Sequence, residues 1–416
     1  MAKTLHTEAD KKRALFLAFL TIFLDLLGFG IIIPIQPFFA ESFGASPTLV
    51  TVLGGSYSLM QFLFAPFWGR LSDRIGRRPI ILMSVFVAMI GHVLFSVTSS
   101  LAMLFVARMI AGFGNANLGT AQAIVSDTTD SSSRAKGMGL IGMAFGLGFV
   151  FGPALGGFLG STYGVRAPSI AAAVLQGLNL LLAFWLLPET RDPSREVAVH
   201  GRRAPLSLAA FRRAIRHEGV GSLFSITLVA TLAFAMMEQT IGLLVQAIWV
   251  TPLGLDLDAS TRLAAKLTGY CLIVVGVTAT VVQGGLIGPL VKRLGERRLI
   301  RISLWVLVIA LATVPLFAET GRFPVFLLSG ALLAIGSGLL TPSTNSLISK
   351  SIGEDEQGGV LGLNQSLSSL GRVLGPLVAG ALFEYSRAAP FLTGALILVI
   401  VGLFARRLGA PARTAA

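Results

Sequence analysis

The sequence is poor in cysteine, histidine and charged residues. Cys271 is its single cysteine, which excludes an internal disulfide framework and a cysteine-based zinc site. The four histidines are scattered and do not indicate a metal centre. Charged residues make up 13% of the chain, against roughly 25% in soluble domains, whereas 54% of the residues are hydrophobic. This composition excludes a soluble globular protein and a disordered chain, and it predicts a membrane protein.

Twelve apolar stretches long enough to cross a bilayer follow one another along the chain. They cover residues 14–40, 49–70, 79–99, 101–126, 137–162, 167–187, 220–250, 264–290, 299–318, 323–348, 358–385 and 389–406. The first exceeds the hydrophobic core of a secretory signal and carries no small-residue cleavage site, so no cleavable signal peptide is predicted. The predicted fold class is an all-α membrane protein with twelve transmembrane helices, which we number as spans one to twelve.

The lysines and arginines fix the predicted orientation of these spans. With the N-terminus in the cytoplasm, 26 of the 33 basic residues fall on the cytoplasmic side and five on the outer side, while Arg108 and Arg372 lie inside spans. This bias follows the positive-inside rule and predicts that both termini are cytoplasmic. The formal net charge of +13 therefore needs no nucleic-acid partner, because the cations lie beside lipid headgroups.

The chain divides into two similar halves. An arginine-rich segment at 189–219 is predicted to be a cytoplasmic linker between a six-helix half at 1–188 and a second six-helix half at 220–416. Two patterns of the first half recur in the second: Gly69–Arg78 recurs as Gly288–Arg297, and Gly139, Gly148, Gly152 and Pro153 recur with the same spacing as Gly362, Gly371, Gly375 and Pro376. Such a repeat is typical of transporters whose halves rock about a site near the bilayer midplane.

Several short motifs carry a family resemblance. The loop between spans two and three reads Gly69-Arg70-Leu71-Ser72-Asp73-Arg74-Ile75-Gly76-Arg77-Arg78-Pro79, which resembles the loop signature of the major facilitator superfamily. Span five resembles the glycine- and proline-rich motif of the drug–proton antiporter branch, through Gly139, Gly148, Gly152, Pro153, Gly156 and Gly157. Span four resembles a third family motif, through Arg108, Gly112 and Gly114. Spans one and eleven are similar to tetracycline exporters, through Asp25, Gly28, Gly30, Pro34, Pro37, Glu356-Gln357-Gly358 and Gly375-Pro376.

The resemblance implies that the loop between spans two and three forms a cytoplasmic latch. Its residues are Gly69, Asp73, Arg74, Gly76, Arg77 and Arg78, with Asp127 at the same end of span four. Alternatively, the loop is basic only because the positive-inside rule sets its topology. Acidic residues contribute little to that rule, so the two acids, Asp73 and Asp127, favour the latch. In the second half Lys292 replaces Asp73 and Ser351 stands where Asp127 does, so we expect the full network in the first half only.

The glycines of span five are expected to pack closely against another helix. Gly148, Gly152 and Gly156 share one helical face, since residues four apart are neighbours on a helix. Small residues let membrane helices approach, and Pro153 can kink the span. The pattern indicates plain helix packing, a proton-tight pivot between the halves, or both.

Four charged residues lie well inside the spans, where each is costly to insert: Asp25, Arg108, Glu238 and Arg372. Asp25 lies near the middle of span one, where a buried carboxyl can bind and release a proton near neutral pH. The resemblance implies that Arg108 lies close to Asp25 and tunes its proton affinity; the alternative is a structural buried pair. Glu238 is expected to handle protons or substrate; the alternatives are a structural pair and a span whose bounds are misplaced. Arg372 serves either structure or an anionic substrate.

Polar residues among apolar ones are expected to line a substrate cavity: Gln36, Gln61, Asn115, Gln239, Gln246, Asn345, Asn364, Gln365 and Arg372. Aromatic residues such as Tyr57 are expected to face lipid or the interface by default, with the alternative that some line a drug cavity. A lone histidine such as His92 is more typical of a packed residue than of a proton relay. Tetracycline exporters carry an acid in span three and a histidine in span eight, and an ungapped count places Gly91 and Ala279 there.

These features together predict a secondary active transporter of the cell inner membrane. It would export a small amphipathic compound or drug in exchange for protons, as a monomer, with substrate, protons and lipid as its partners. The chain offers no recognisable nucleophile–base pair, metal cluster or nucleotide-binding motif, so neither an enzyme nor a cofactor is predicted. Two alternatives stay open: a metabolite or sugar exporter or facilitator without proton coupling, and a membrane sensor that does not transport.

Overall fold

The computed structural model describes residues 8–129, 134–191, 208–217, 219–352 and 354–405. Over these ranges the chain forms sixteen α-helices. Their bounds are α1 Glu8–Ile32, α2 Gln36–Glu41, α3 Pro47–Ile75, α4 Arg77–Ser96, α5 Leu101–Gly114, α6 Leu118–Thr128, α7 Arg134–Tyr163, α8 Ala167–Leu186, α9 Leu208–Ala214, α10 Val220–Val245, α11 Leu257–Val281, α12 Ile287–Leu294, α13 Glu296–Glu319, α14 Phe323–Lys350, α15 Glu354–Tyr385 and α16 Ala389–Ala405. Gln246–Val250 and Val282–Leu286 are π-helical, and Thr251–Leu253 is a 3₁₀ turn.

Each predicted span falls on helical structure. Within the described residues, ten helical segments are long and apolar enough to cross a membrane, and Ala389–Phe404 forms a shorter apolar helix. The prediction of an all-helical membrane protein is confirmed, while the count of twelve crossings and the cytoplasmic location of both termini stay predictions. Residues 192–207 of the predicted linker lie outside the described residues.

Two of the predicted spans are interrupted helices. Span one breaks between α1 and α2 at residues 33–35, where Pro34 lacks the backbone N–H that a helix needs. Span four breaks between α5 and α6 at residues 115–117. Asn115 and Asn117 stand at this second break, and asparagine is a poor helix former because its amide competes for backbone hydrogen bonds.

The first compact unit comprises Met1–Val199 and Ile241–Gly276. In this unit the glycines of α7 lie directly against α1. A methyl group built on Gly148 would lie 2.6 Å from Leu26 Cβ, one on Gly152 would lie 2.8 Å from Gly30 Cα, and one on Gly156 would overlap the Ile31 carbonyl. Only glycine permits this approach of two membrane helices.

Two other residues of the span-five motif differ in their surroundings. Gly157 lies against α11, where a methyl group on it would lie 2.8 Å from Gly269 Cα. Gly139 falls in a part of α7 whose side-chain environment is outside the described structure. Pro153 lies inside α7, close to Gly30. The motif therefore faces α1 through one set of glycines and α11 through another.

The second compact unit comprises His200–Thr240 and Val277–Ala416. Its α15 packs on α10 as α7 packs on α1. Methyl groups on Gly371 and Gly375 would each lie 2.8 Å from a carbonyl oxygen of α10, that of Leu228 and that of Leu232. The glycines that recur in the sequence therefore make the same kind of close helix contact in both units. The predicted domain bounds, which rest on the sequence repeat, stay a prediction.

Candidate functional site

Asp25 lies in α1, buried in the first unit with 4% of its surface exposed. Asn117 Nδ2 donates a hydrogen bond of 2.9 Å to Asp25 Oδ2, and Gln176 Nε2 donates one of 2.8 Å to Oδ1. Asn117 comes from the break in span four and Gln176 from the middle of α8. Each carboxylate oxygen therefore accepts from a neutral amide, and three separate helical segments meet at this acid.

Further polar groups surround this pair of amides. Asn117 Nδ2 also donates to Ser84 Oγ at 2.9 Å. A methyl group on Gly28 would lie 3.2 Å from His92 Nε2 and 3.7 Å from Gln176 Nε2, so the histidine and the glutamine approach α1 at the same place. Asn117, Gln176 and Ser84 were absent from the predicted site. A polar side chain inside an apolar span is the sequence signal that could have identified them, and Gln176 shows it most clearly because it lies within predicted span six.

Arg108 on α5 lies against two aromatic rings. Its guanidinium carbon lies 4.5 Å from the centre of the Tyr57 ring and 5.6 Å from that of Phe29, and only 2% of the residue is exposed. The two rings stack with their centres 4.8 Å apart. The negative potential of a ring face attracts a cation, most strongly where water is excluded. Within the part of the chain that the structure describes, Arg108 is thus placed against aromatic rings, and the hydrogen bonds described for Asp25 come from Asn117 and Gln176.

Two predicted cavity residues meet at the hydroxyl of Tyr57. Asn115 Nδ2 donates to this oxygen at 3.0 Å and Gln61 Nε2 at 3.3 Å, and Gln61 also donates to the Asn115 carbonyl at 3.0 Å. Of the two alternatives for Tyr57, its burial excludes the one in which it faces lipid, and its polar tip has partners within the unit. It joins Arg108 to the amides of the break.

The other predicted cavity residues are distributed over both units. In the first unit, Gln36 is buried in α2 and Gln246 opens the π-helical turn. In the second unit, Asn364 Nδ2 donates to Asn345 Oδ1 at 2.9 Å, which joins α15 to α14. The remaining cavity residues, also in the second unit, are Gln239 and Arg372, which are partly buried, and Gln365, which is exposed. Glu238, predicted to take part in proton coupling, is buried in the same unit.

The predicted latch residues gather around Arg77 at the start of α4. Arg77 Nε lies 3.1 Å from Asp127 Oδ2, while its Nη1 pairs with Asp73 and donates to Ser72 Oγ at 2.9 Å. One guanidinium therefore joins the ends of three helices, α3, α4 and α6. Gly69 and Arg74 take part through their carbonyls, which accept from Ser72 Oγ at 2.8 Å and from Arg191 Nη1 at 2.6 Å.

Glu189, outside the predicted latch, holds the start of α4. Its carboxylate accepts from the backbone N–H of Arg77 at 2.9 Å and of Arg78 at 3.2 Å, where an α-helix leaves its N–H groups unpaired. Gly76 precedes them with φ +110°, and a methyl group on it would overlap Glu189. Arg78 packs its guanidinium 5.8 Å from the Phe184 ring. The end of α8 is thereby tied to the loop.

The second unit carries an ion pair at the related place. Glu296 stands where the repeated loop has Arg77, and it pairs with Lys350, which the register of the recurring glycines places at the position of Asp127. Ser346 Oγ also donates to Glu296 at 3.0 Å. In the first unit one guanidinium joins two acids, whereas at the related place of the second unit this pair has its charges reversed. The expectation that the full network belongs to the first half stays a prediction.

Comparison with known proteins shows what this chain is similar to. The family model described as Major Facilitator Superfamily matches residues 18–287 and 245–415. The chain is 35% identical over 403 residues to tetracycline resistance protein, class C, of Escherichia coli, which covers 94% of the chain and 96% of that protein. It is 26% identical over 397 residues to multidrug resistance protein 2 of Bacillus subtilis (strain 168), with 94% of each covered.

Solved structures share the fold at lower identity. The human organic anion transporter MFSD10 aligns with a TM-score of 0.69 at 24% identity, over 95% of this chain and 99% of that one. An inward-facing bacterial homolog of the human lysosomal transporter Spinster aligns with a TM-score of 0.74 at 17% identity, over 98% of this chain and 100% of that one. At these identities the likeness concerns the fold.

Proposed function

Because this chain belongs to the Major Facilitator Superfamily, a family of membrane transporters, we propose that it is a proton-coupled exporter of a small amphipathic compound in the cell inner membrane. The observation that carries the proposal is the Asp25 carboxylate, buried in the first unit and held by two neutral amides. An acid at this depth is costly to keep without a use, since a charge inside the bilayer opposes insertion. Reversible protonation is the use that its surroundings permit.

The two amides suit both protonation states of Asp25. The charged carboxylate accepts from Asn117 and Gln176. Asn117 Oδ1 and Gln176 Oε1 are both buried without a hydrogen-bond partner among the described residues. A flip of either amide offers its oxygen to the protonated carboxyl, because an amide presents a donor at one end and an acceptor at the other. A proton can therefore bind and leave while the Asp25 carboxyl stays hydrogen-bonded in both states.

The latch and the aromatic cation site have separate tasks in this proposal. Arg77, with Asp73 and Asp127, holds the cytoplasmic ends of three helices together and must release them as the transporter changes state. Arg108 supplies a fixed positive charge that is held against the rings of Tyr57 and Phe29. Alternating access between the two halves then follows from the internal repeat.

The substrate is proposed to be amphipathic and distinct from tetracycline. Gly91 stands where the tetracycline exporters carry an acid, and a methyl group on it would lie 2.5 Å from the Ala111 backbone nitrogen. An acidic side chain at this position would collide with α5. The amides of Gln61 and Asn115 and the ring of Tyr57 offer polar and apolar groups to a compound instead.

The proposal is tested by transport in sealed vesicles loaded at acidic pH. A panel of cationic, neutral, zwitterionic and anionic compounds is added outside while lumenal pH is followed. Proton efflux with one class, absent in Asp25→Asn and retained in Asp258→Asn, supports the proposal. Asp258 is the matched control because it is an exposed acid at the start of α11. Uptake of a compound that is equal in all three proteins and moves no protons would favour the facilitator alternative.

A further inference from the structure

An acid and an amide meet at the far end of span one. Glu41 ends α2, and Gln246 opens the π-helical turn after α10; both belong to the first unit. The Gln246 side chain hydrogen-bonds to Glu41, and this bond lowers the pKa of the carboxyl, as donation by the amide N–H does. Burial acts more strongly and raises the pKa of Glu41 above its ordinary value of 4.5.

Each of the two side chains also keeps a buried oxygen without a hydrogen-bond partner in the part of the chain that the structure describes. These atoms are Glu41 Oε2 and Gln246 Oε1, both acceptors when the carboxyl is charged. A carboxylic acid has one donor and one acceptor, as an amide does. A single proton on Glu41 therefore supplies the donor that both orphaned oxygens lack, and it permits two parallel hydrogen bonds between the side chains.

One helical turn earlier, α2 also touches the end of α10. A methyl group on Gly242 would lie 3.3 Å from Pro37 Cγ and 3.5 Å from Phe38 Cζ. Gly242 precedes Gln246 by four residues, as Pro37 precedes Glu41, so both contacts lie along one seam. The seam joins Ile241–Gly276, which the repeat assigns to the second half, to the first half of the sequence.

We propose that Glu41 binds a proton from the outer side and then clasps Gln246 through two hydrogen bonds, closing this seam. Glu41 is thus a second proton-binding residue of the transport cycle, beside Asp25. The inference rests on the proposed function, because alternating access requires that the two sequence halves separate at one end. A deprotonated Glu41 leaves a partly buried charge with a single donor, and this favours the open seam.

The charged groups of the neighbouring elements do not supply the missing donor. Along α10 the nearest is Glu238, two turns before Gln246. The start of α11 carries Asp258, Arg262 and Lys266, and Arg262 is engaged by Asp258 at 2.8 Å and by the Thr162 carbonyl at 2.9 Å. Tyr163 ends α7, and α3 carries Tyr57 and, at its opposite end, Arg70, Asp73 and Arg74. The pKa of Glu41 is set by burial and by Gln246.

The sign of the pH effect follows from linkage. The closed seam raises the pKa of the Glu41 carboxyl, so it binds the proton more tightly than an open, hydrated seam does. Lowering the pH towards and below that raised pKa therefore favours closure, and raising the pH through it favours opening. A proton arriving from an acidic outer side would close the outer end behind it.

The clasp is tested by distances between spin labels at Leu49→Cys and Leu255→Cys, in a Cys271→Ser background. Both positions are exposed and flank the seam on α3 and after the 3₁₀ turn. In the protein with native Glu41, the short-distance population should grow as the pH falls from about 8 to about 5. Glu41→Gln should stay in the short state at both pH values, because an amide there donates and accepts without titrating. Glu319→Gln, an exposed acid in the second unit, should respond as the native protein does.

A double variant that exchanges the two residues distinguishes loss of the clasp from misfolding. Glu41→Gln combined with Gln246→Glu rebuilds the acid–amide pair and should restore the pH response. An unchanged pH response in Glu41→Gln, or distances that ignore pH in the native protein, would overturn the clasp. The distance measurement needs no substrate, so the two proposals can fail separately. If the protein exchanges protons for a compound but the distances do not depend on pH, only the clasp is wrong. If the distances depend on pH but no antiport is seen, the clasp stands and the proposed function is wrong.

Discussion

Asn117 donates a hydrogen bond of 2.9 Å to the carboxylate of Asp25. The donor stands in the break of one predicted span, and the acceptor lies inside another. The break places the side chain of Asn117 beside the acid, as the middle of α8 places that of Gln176. Interrupted helices at membrane depth are found where they surround a binding site, and this one surrounds Asp25.

We expect Asn117→Ala to destabilise the protein. The substitution removes a donor from a buried carboxylate, at a cost of about 1–3 kcal/mol in the free energy of unfolding. Thermal unfolding in detergent measures the loss. In an Asp25→Asn background the loss should be smaller, because no charge is left to satisfy, and the difference gives the coupling between the two side chains. Equal losses in both backgrounds would show that Asn117 stabilises the break by itself.

Gly76→Ala should cost more stability than Gly295→Ala. Both glycines have positive φ, +110° and +74°, and they hold the same position in the two copies of the repeated loop. Strain at such a position costs about 1–3 kcal/mol in each case. At Gly76 the added methyl group also overlaps Glu189, whereas none of the described residues comes within 4 Å of a methyl group at Gly295. Similar losses of melting temperature would argue against a structural role for Glu189.

Arg77→Ala should weaken the protein more than Lys350→Ala. The side chain of Arg77 is 11% exposed and joins two acids, so its loss leaves both without their partner and costs about 1–3 kcal/mol. The side chain of Lys350 is 63% exposed, and exposed pairs contribute about 0–1 kcal/mol. Arg77→Lys should recover little, because one ammonium cannot reproduce the two-sided guanidinium contact. Thermal melting of the three variants in one detergent makes the comparison.

The helical membrane fold could be predicted because each element carries its own signal. Apolar runs of the length of a bilayer indicate the spans, and the glycines that recur in the second half indicate the α7–α1 and α15–α10 contacts. Asp25 and Arg108 stood out because a charge inside an apolar span is rare. Each of these features can be recognised within a single segment of the sequence, without knowing which other segments it contacts.

The partners of these residues could not be predicted, because contacts between segments leave no mark within either one. Gln176 lies 151 residues from Asp25, and Glu189 lies 112 residues from Arg77. The sequence around Tyr57 does not reveal that its hydroxyl accepts from Asn115 or that its ring lies against Arg108. The pair of Glu296 and Lys350 is hard to predict from the repeat, because its charges are opposite to those of Arg77 and Asp127.

Counterflow separates two steps that coupling by Asp25 would affect differently, namely exchange of the compound and uptake driven by protons. Vesicles are loaded with the compound that the panel identifies, and uptake of labelled compound is measured first with no pH gradient and then with an acidic lumen. If Asp25 carries the coupled proton, Asp25→Asn should keep exchange of labelled for unlabelled compound but lose uptake driven by the gradient. Gradient-driven uptake in Asp25→Asn equal to that of the native protein would show that Asp25 does not couple protons to export.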